Sequence, residues 1–241
     1  MNLTYAMQFP PQGPMSGSMI VNVGSTASSA STPSPSSPSS ASNFPSDDEM
    51  KRLARAYVGE RIASLKKDVD HCLREPYDPF PAILYSLATI EMLGALVKGQ
   101  VSKNSPTSAN TENYMMTFMH YTQEQSQFIM QIFRHKMSHL AQPNPIMISS
   151  QRTVTWQYHH EDKMLHLLLT PADKDSKIIV TSDWPRIKID QVFHLSIRQL
   201  VDDIEYSIYG HNGLLDKLER NEDKVFDNFK TAITQIYGVQ P

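Results

Sequence analysis

One seven-residue segment, Phe133-Arg-His-Lys-Met-Ser-His139, carries the side chains best suited to chemistry. At about 100° per residue of helix, one polar arc carries Arg134, His135, Ser138 and His139, whereas Lys136 falls inside the broad apolar arc opposite. Histidine accepts and donates protons near neutral pH. Arginine holds phosphate through paired hydrogen bonds and stabilises developing charge. The segment can therefore supply both a proton carrier and a fixed cation.

A lone carboxylate elsewhere in the chain points to the same segment. Glu91 is the only charged residue before Lys98 on a predicted central helix that is apolar on nearly every side. A buried charge of that kind costs several kcal/mol unless it is paired. We therefore predict that Glu91 pairs with Arg134 as part of a preorganised polar site.

Other interpretations of the polar residues stay open. The polar arc can be a solvated helix face, as amphipathicity alone predicts. His135 and His139 also have the i, i+4 spacing of metal ligands, but a third ligand is hard to find, and Lys136 stands where a general-base Glu would follow. His159 and His160 are expected in a solvated turn, and Cys72 as a buried structural cysteine.

Helical spacing of apolar residues indicates a mainly helical domain. We predict helices over about 47–75, 81–99, 114–121 and 123–142, a further helix from about 190, and a last helix after Asn212. Capping boxes at Ser46–Glu49 and Thr122–Gln125 mark two of the helix starts. Residues 100–111 are polar and turn-rich, which indicates a loop.

Three short segments depart from the helical pattern and predict β-structure. Thr153–Tyr158 alternates with period two, Met164–Leu169 does so more weakly, and Lys177–Thr181 is β-branched. We predict a small antiparallel β meander over about 152–182, inserted before the last two helices. Residues 1–46 are rich in Ser and Pro and contain no charged side chain, which predicts a disordered tail joined to one domain over 47–241.

Composition excludes several classes of function. The net charge is −3, so the chain lacks the basic excess of a protein that coats nucleic acid, and RNA would need a local cationic site. A single cysteine excludes an internal disulfide and a thiolate metal cluster. We find no run long enough for a membrane span, no signal-peptide core and no motif that reads DNA grooves. We expect a cytoplasmic protein without a membrane partner.

The Arg-x4-His pattern of Arg134 and His139 resembles the signature of the HEPN superfamily of helical-bundle proteins. Members of that family often place a polar residue after the arginine, here His135, and an acidic residue on an earlier helix, here Glu91. The resemblance covers about 60 residues, from Ile83–Gly99 to Phe128–Pro143. Leu140 stands where a glycine is common, and the tail and β insertion lie outside the minimal bundle.

The resemblance implies a HEPN-like helical bundle and a metal-independent endoribonuclease, a hydrolase of single-stranded RNA that needs no cofactor. By that likeness His139 acts as general base or acid, Arg134 clamps the phosphate and Glu91 orients it, with His135 and Ser138 as supporting groups. Two protomers would share one cleft in a homodimer. The alternative is a non-catalytic HEPN-like module that dimerises or binds a nucleotide or partner protein, which the net charge of −3 favours.

Overall fold

The computed structural model describes residues 45–74, 77–102, 105–134, 147–149, 152–160, 163–173, 177–178 and 187–237. The predicted disordered tail therefore lies almost wholly outside the described residues, as do residues 135–146. Residues 42–241 form one compact unit. Its described part is mainly helical with a small sheet, as the hydrophobic pattern predicts.

The first helix, α1, spans Asp47–Cys72 and begins at the predicted capping box. The Ser46 side chain accepts from the Glu49 amide at 3.3 Å, and the Glu49 carboxylate accepts from the Ser46 amide at 2.9 Å. These reciprocal bonds satisfy backbone donors that a helix start leaves without an intrahelical partner. One stripe of α1 is buried: Met50, Ala54, Val58, Ile62, Leu65 and Val69.

The second helix, α2, spans Pro79–Lys98 and is the central element of the bundle, as its all-round apolar character predicts. It ends at Gly99, whose φ of 65° lies in the left-handed region that glycine adopts without strain. It is also long and apolar enough to cross a membrane, contrary to our expectation from the sequence, and 56% of its most apolar window is buried inside the protein. Buried core helices share those properties.

The third helix, α3, spans Thr107–Phe118 and starts within the predicted loop. It crosses α2 at Gly94, where a Cβ atom would lie only 2.7 Å from the Asn110 carbonyl oxygen. The helix after it, α4, spans Gln123–Phe128 and begins at the second predicted capping box, that of Thr122 and Gln125. Both capping boxes are therefore confirmed.

The chain leaves regular α-helical winding directly after α4. Ile129–Arg134 forms a π-helical segment, in which the backbone bonds run from i to i+5. We predicted a regular α-helix over 123–142, so the prediction is wrong for this segment, and its remainder lies outside the described residues. π-helical turns are uncommon and are often found at functional sites.

The sheet differs from the predicted antiparallel meander. Its strands are β1 (Met147–Ser149), β2 (Arg152–His159), β3 (Leu169–Pro171) and β6 (Gln191–Ser196), in the order β1-β2-β6-β3. β2 and β6 are parallel, while β1 and β3 are antiparallel to their neighbours. Parallel neighbours need a long crossover connection, and the chain between β2 and β6 supplies one. The segment between β2 and β6 also contains a separate antiparallel pair of strands, β4 (Lys177–Ile178) and β5 (Ile187–Lys188).

Two helix predictions near the C-terminus are also corrected. Residues from about 190 form strand β6 rather than helix, because β6 is central in the sheet, where four consecutive residues, Phe193–Ser196, are buried. The helix α5 then spans Ile197–Tyr209, with Ser196 as its N-cap. The strands thus reach from Met147 to Ser196, beyond the predicted 152–182.

Three helices, not two, follow the sheet. α5 is succeeded by α6 (Leu214–Arg220) and α7 (Val225–Tyr237), with a short 3₁₀ turn over Glu222–Lys224 between these two. We predicted a single last helix, but Asn221, Asp223 and Lys224 have φ values of 50°, 54° and 60°. Left-handed residues cannot continue a right-handed helix, so the chain turns there.

Candidate functional site

The described site centres on an ion pair between α2 and the π-helical segment. Arg134 Nε donates to Glu91 Oε2 at 2.6 Å, and Arg134 Nη2 contacts the same oxygen. Each side chain is 24% exposed, so the pair is half-buried rather than enclosed. The structure thus brings together the two residues whose pairing the sequence predicts.

Buried neighbours fix the direction of the Arg134 side chain. Phe133, the preceding residue, is fully buried, and its ring centroid lies 5.6 Å from that of Trp156 on β2. Trp156 in turn packs against Phe80 of α2 at 6.1 Å. Because Phe133 is held between sheet and helix, Arg134 is directed to the neighbouring face, where Glu91 lies.

The ion pair forms one wall of a cleft of about 330 Å³. Three residues of α2 one or two turns apart, Ala88, Met92 and Ala95, line its floor. The opposite wall comes from the α2–α3 connection and the start of α3: Gln100, Val101, Ser102, Ser105 and Thr107. An apolar floor with a fixed cation and several hydroxyl groups at the rim is a common composition for a small-ligand site.

The remaining predicted site residues, His135, Ser138 and His139, lie outside the described residues. The rival interpretation, a metal held by His135 and His139, therefore falls on the same segment. Within the described part of the chain, no three or more His, Cys, Asp or Glu side chains are grouped to hold a metal ion. Of the predicted site residues, the structure describes Glu91 and Arg134.

A second polar cluster, which we call the buried network, joins three distant segments. Tyr121 Oη donates to Asp203 Oδ2 at 2.6 Å, and Gln199 Nε2 donates to Asp203 Oδ1 at 2.6 Å. His166 Nδ1 accepts from the Ser196 amide at 3.1 Å, so its ring proton lies on Nε2, which faces Tyr121 Oη at 3.2 Å and Asp203 Oδ2 at 3.3 Å. The side chain of His166 is 6% exposed.

The network shifts the pKa values of Asp203 and Tyr121. Burial alone would raise the pKa of Asp203, but hydrogen bonds from His166, Tyr121 and Gln199 bring that pKa below its ordinary value. Burial raises the pKa of Tyr121 well above its usual value, and the negative charge of Asp203 raises it further. The ground state is therefore a neutral tyrosine donating to an ionised aspartate.

Sequence reasoning missed the buried network because no local pattern marks it. Tyr121 and Asp203 are 82 residues apart, and Tyr121 and His166 are 45 apart. Asp203 sits beside Asp202 on α5, and a pair of acidic residues on an amphipathic helix ordinarily indicates a solvated face. The signal becomes visible only when the three segments are packed.

Of the two histidines expected in a solvated turn, His159 is instead the last residue of strand β2, and His160 follows it at a bend. His159 is bonded to His194 through ring nitrogens 2.9 Å apart, and His194, 6% exposed, is bonded to Thr170 Oγ1 at 2.8 Å. The carbonyl of His160 accepts from the Arg198 amide at 3.4 Å. We expected a solvated turn because we predicted β6 as helix. In the structure β6 pairs with β2, and its His194 bonds to His159.

Cys72 lies at the end of α1, half-buried against the core. Burial raises the pKa of its thiol, and the nearby carboxylates of Asp78 and Asp68 raise it further. A thiol so disfavoured as a thiolate is a poor nucleophile, which agrees with a structural role.

Comparison of the chain with family models, with curated proteins and with solved structures gave no match.

Proposed function

We propose that this protein is a metal-independent endoribonuclease that cleaves single-stranded RNA, built on a HEPN-like bundle. The observation that carries the proposal is the ion pair of Glu91 and Arg134 on the wall of a cleft. An arginine held by a carboxylate is preorganised, so less side-chain freedom is lost when a phosphate binds. Its forked set of five N–H donors can bridge a carboxylate and a phosphate.

In this proposal Arg134 stabilises the negative charge that builds on the phosphorus centre while the 2′-hydroxyl attacks. His139, five residues further along the chain, takes or returns the proton, with His135 and Ser138 in support. Glu91 acts on Arg134 rather than on substrate and is a positioning residue. Because the nucleophile belongs to the RNA, products should end in a 2′,3′-cyclic phosphate.

The second candidate is a non-catalytic HEPN-like module that dimerises or binds a nucleotide or partner protein. Two observations favour it. The chain carries a net charge of −3, and the positive charge of Arg134 is already balanced by Glu91. Either property weakens the general attraction to a polyanion on which most nucleases rely.

The deciding experiment is cleavage of a single-stranded RNA oligonucleotide in the presence of EDTA. We expect cyclic-phosphate products, and a loss of about 10²-fold or more for His139→Ala, the usual contribution of a positioned acid or base. His211→Ala, an exposed histidine outside the cleft, should retain wild-type activity.

The other outcomes separate the alternatives. Activity that EDTA abolishes would favour a metal held by His135 and His139. Binding of RNA without any cleavage would favour the non-catalytic module. Cleavage that survives His139→Ala would place the chemistry elsewhere.

The shared-cleft form of the proposal also requires a homodimer. Light scattering at micromolar concentration should give twice the chain mass of 27.3 kDa. A clean monomer at that concentration would contradict a site assembled from two protomers.

A further inference from the structure

We propose that the cleft beside Arg134 is a binding subsite for one nucleotide of the RNA chain, with the base lying on α2. This inference rests on the proposed function, which supplies the RNA, and assigns a role to residues that the proposed chemistry leaves unused. Those residues are Ala88, Met92 and Ala95 on the floor, and Gln100, Ser102 and Ser105 at the rim.

The size of the cleft limits its occupant. Its volume of about 330 Å³ lies at the lower end of the roughly 300–1,000 Å³ found for small-molecule sites. That space is suited to one nucleotide, and a dinucleotide would extend beyond it. Since Arg134 lines the same cleft, a phosphate on the guanidinium would place an attached ribose and base over the floor.

The floor matches the face of a nucleobase. Bases present a flat, weakly polar face that stacks on apolar and aromatic groups without sequence preference. Ala88 and Ala95 offer only methyl groups, so a flat ring can approach the helix closely. The thioether of Met92 interacts favourably with aromatic rings, and it is held in place by a weak hydrogen bond from Tyr57 Oη at 3.9 Å.

The rim matches the edge of a base or the hydroxyls of a ribose. Asn110, only 5% exposed, donates its amide to Gln100 Oε1 at 3.0 Å. That bond engages the acceptor of Gln100 and fixes the amide group, whose NH₂ donors make no hydrogen bond to the described residues. The hydroxyls of Ser102 and Ser105 lie 3.1 Å apart and can each give or accept a bond.

The last helix holds the start of this rim in place. Asn228 Nδ2 of α7 donates to the Val97 carbonyl at 2.7 Å, and Gln235 Oε1 accepts from the Val101 amide at 3.4 Å. A Cβ on Gly99 would meet the Asn228 carbonyl oxygen at 3.1 Å, so the two segments are in close contact. A wall anchored in this way is formed before a ligand arrives, which reduces the entropy lost on binding.

The test places a larger side chain on the floor of the cleft and leaves Glu91 and Arg134 unchanged. Ala95→Leu keeps a strong helix former and places a larger side chain in the space proposed for the base. The matched control is Ala63→Leu, the same change at an exposed position of α1 outside the cleft. Ala88→Leu, at the exposed end of the floor, serves as a second variant if Ala95→Leu lowers the melting temperature.

Two readouts are needed. The first is KM and kcat for cleavage of a single-stranded RNA oligonucleotide. The second is binding, by fluorescence anisotropy, of the same oligonucleotide with a 2′-deoxy nucleotide at the cut position, which removes the nucleophile. We expect Ala95→Leu to raise KM and Kd by about tenfold or more, since mismatches of a few methylenes in a pocket have effects of that order. The value of kcat and the behaviour of Ala63→Leu should be unchanged.

Each result bears on one proposal separately. If the wild type binds the deoxy-substituted RNA but never cleaves RNA, and Ala95→Leu weakens that binding, the subsite stands and the nuclease proposal fails. If the wild type cleaves and both floor variants keep its KM and Kd, the nuclease stands and the subsite is overturned. Wild-type protein that binds no RNA overturns the subsite as well. A change in oligomeric state in Ala95→Leu, seen by light scattering, also overturns it, because the floor would then be an interface between copies.

Discussion

The Glu91–Arg134 pair and the buried network are both polar clusters in an apolar bundle, yet they are built differently. The pair has two members, each 24% exposed, and opens on a cleft. The network has five contributing residues, and its His166 side chain is 6% exposed. It joins the segment before α4, the turn before β3, and α5 with its N-cap.

The difference indicates what each cluster does. A buried polar group must be fully bonded or it destabilises the fold, and every hydrogen-bonding group of the Asp203 carboxylate and the His166 ring has a protein partner. Such a network fixes how segments pack. A partly exposed pair at a cleft contributes less to packing, and it is accessible to a ligand. We therefore expect substitutions in the pair to affect activity and substitutions in the network to affect stability.

The largest expected effect is on activity, at Arg134. Arg134→Ala should lower RNA cleavage by about 10²-fold or more, because one preorganised cationic donor in a transition state is worth that much. Its free energy of unfolding should fall by only about 1 kcal/mol, as for a half-exposed ion pair. Cleavage assays and chemical denaturation measure the two effects.

Arg152→Ala is the matched control for Arg134→Ala. Like Arg134, Arg152 pairs with a glutamate, here Glu124. It donates to Gln191 as well, and it lies outside the cleft. Its substitution should leave cleavage unchanged. Equal loss of activity in the two variants would mean that the effect comes from general positive charge and not from the cleft.

The next largest effect is on stability, at Asp203. Asp203→Asn retains the shape of the side chain and removes the charge that Tyr121, His166 and Gln199 contact. We expect a loss of about 2 kcal/mol in chemical denaturation, since hydrogen bonds to charged groups contribute that much. Asp202→Asn, next in sequence and in an exposed pair with Lys163, should cost less than about 1 kcal/mol. Equal losses would show that the buried network adds nothing to an ordinary surface pair.

A smaller loss of stability is expected for Glu91→Gln. A fully buried pair broken from one side loses about 3–5 kcal/mol, but water reaches both Glu91 and Arg134, so we expect about 1 kcal/mol. Glu205→Gln, which breaks the more exposed pair with Lys66, should cost less still. A loss of 3 kcal/mol or more at Glu91 would reverse the comparison and make the cleft pair a principal support of the fold.

Local signals made much of the helical framework predictable. Capping boxes act over three residues, so Ser46–Glu49 and Thr122–Gln125 marked the starts of α1 and α4 correctly. The all-round apolar pattern of α2 identified the central helix, and its one carboxylate pointed to Arg134. In each case the physical cause lies within one element or in the cost of a single buried charge.

The features that were missed depend on distant parts of the chain. Strand β6 was taken for helix because Phe193 continues the helical spacing of Ile197 and Leu200, whereas the two strands beside β6 decide the outcome. The parallel pairing of β2 with β6 follows from a crossover that no local pattern encodes. The cleft rim was seen only as a polar loop, because its anchors, Asn228 and Gln235, lie on the last helix.

The smallest expected effect is a pH dependence that separates the buried network from a surface ion pair. The pKa of Asp203 in the folded protein is below its ordinary value, and the unfolded value is about 3.9. A group with a lowered folded pKa contributes stability that is fully present above the unfolded pKa and is lost as pH falls through the folded one. The wild type should therefore lose the Asp203 contribution below about pH 4, whereas Asp203→Asn has none to lose.

Urea denaturation at pH 7, 5 and 3 measures this directly. The gap in free energy of unfolding between the wild type and Asp203→Asn should be constant from pH 7 to 5 and shrink by roughly 1 kcal/mol towards pH 3, the order of one hydrogen bond to a charged group. The gap for Asp202→Asn should change less, because its pair with Lys163 is exposed and screened. If the difference in free energy of unfolding between the wild type and Asp203→Asn instead widened on acidification, its pH dependence would have the opposite sign. It would mean that Asp203 is protonated in the fold near neutral pH, and the hydrogen bonds from His166 and Tyr121 would then have to be reassigned.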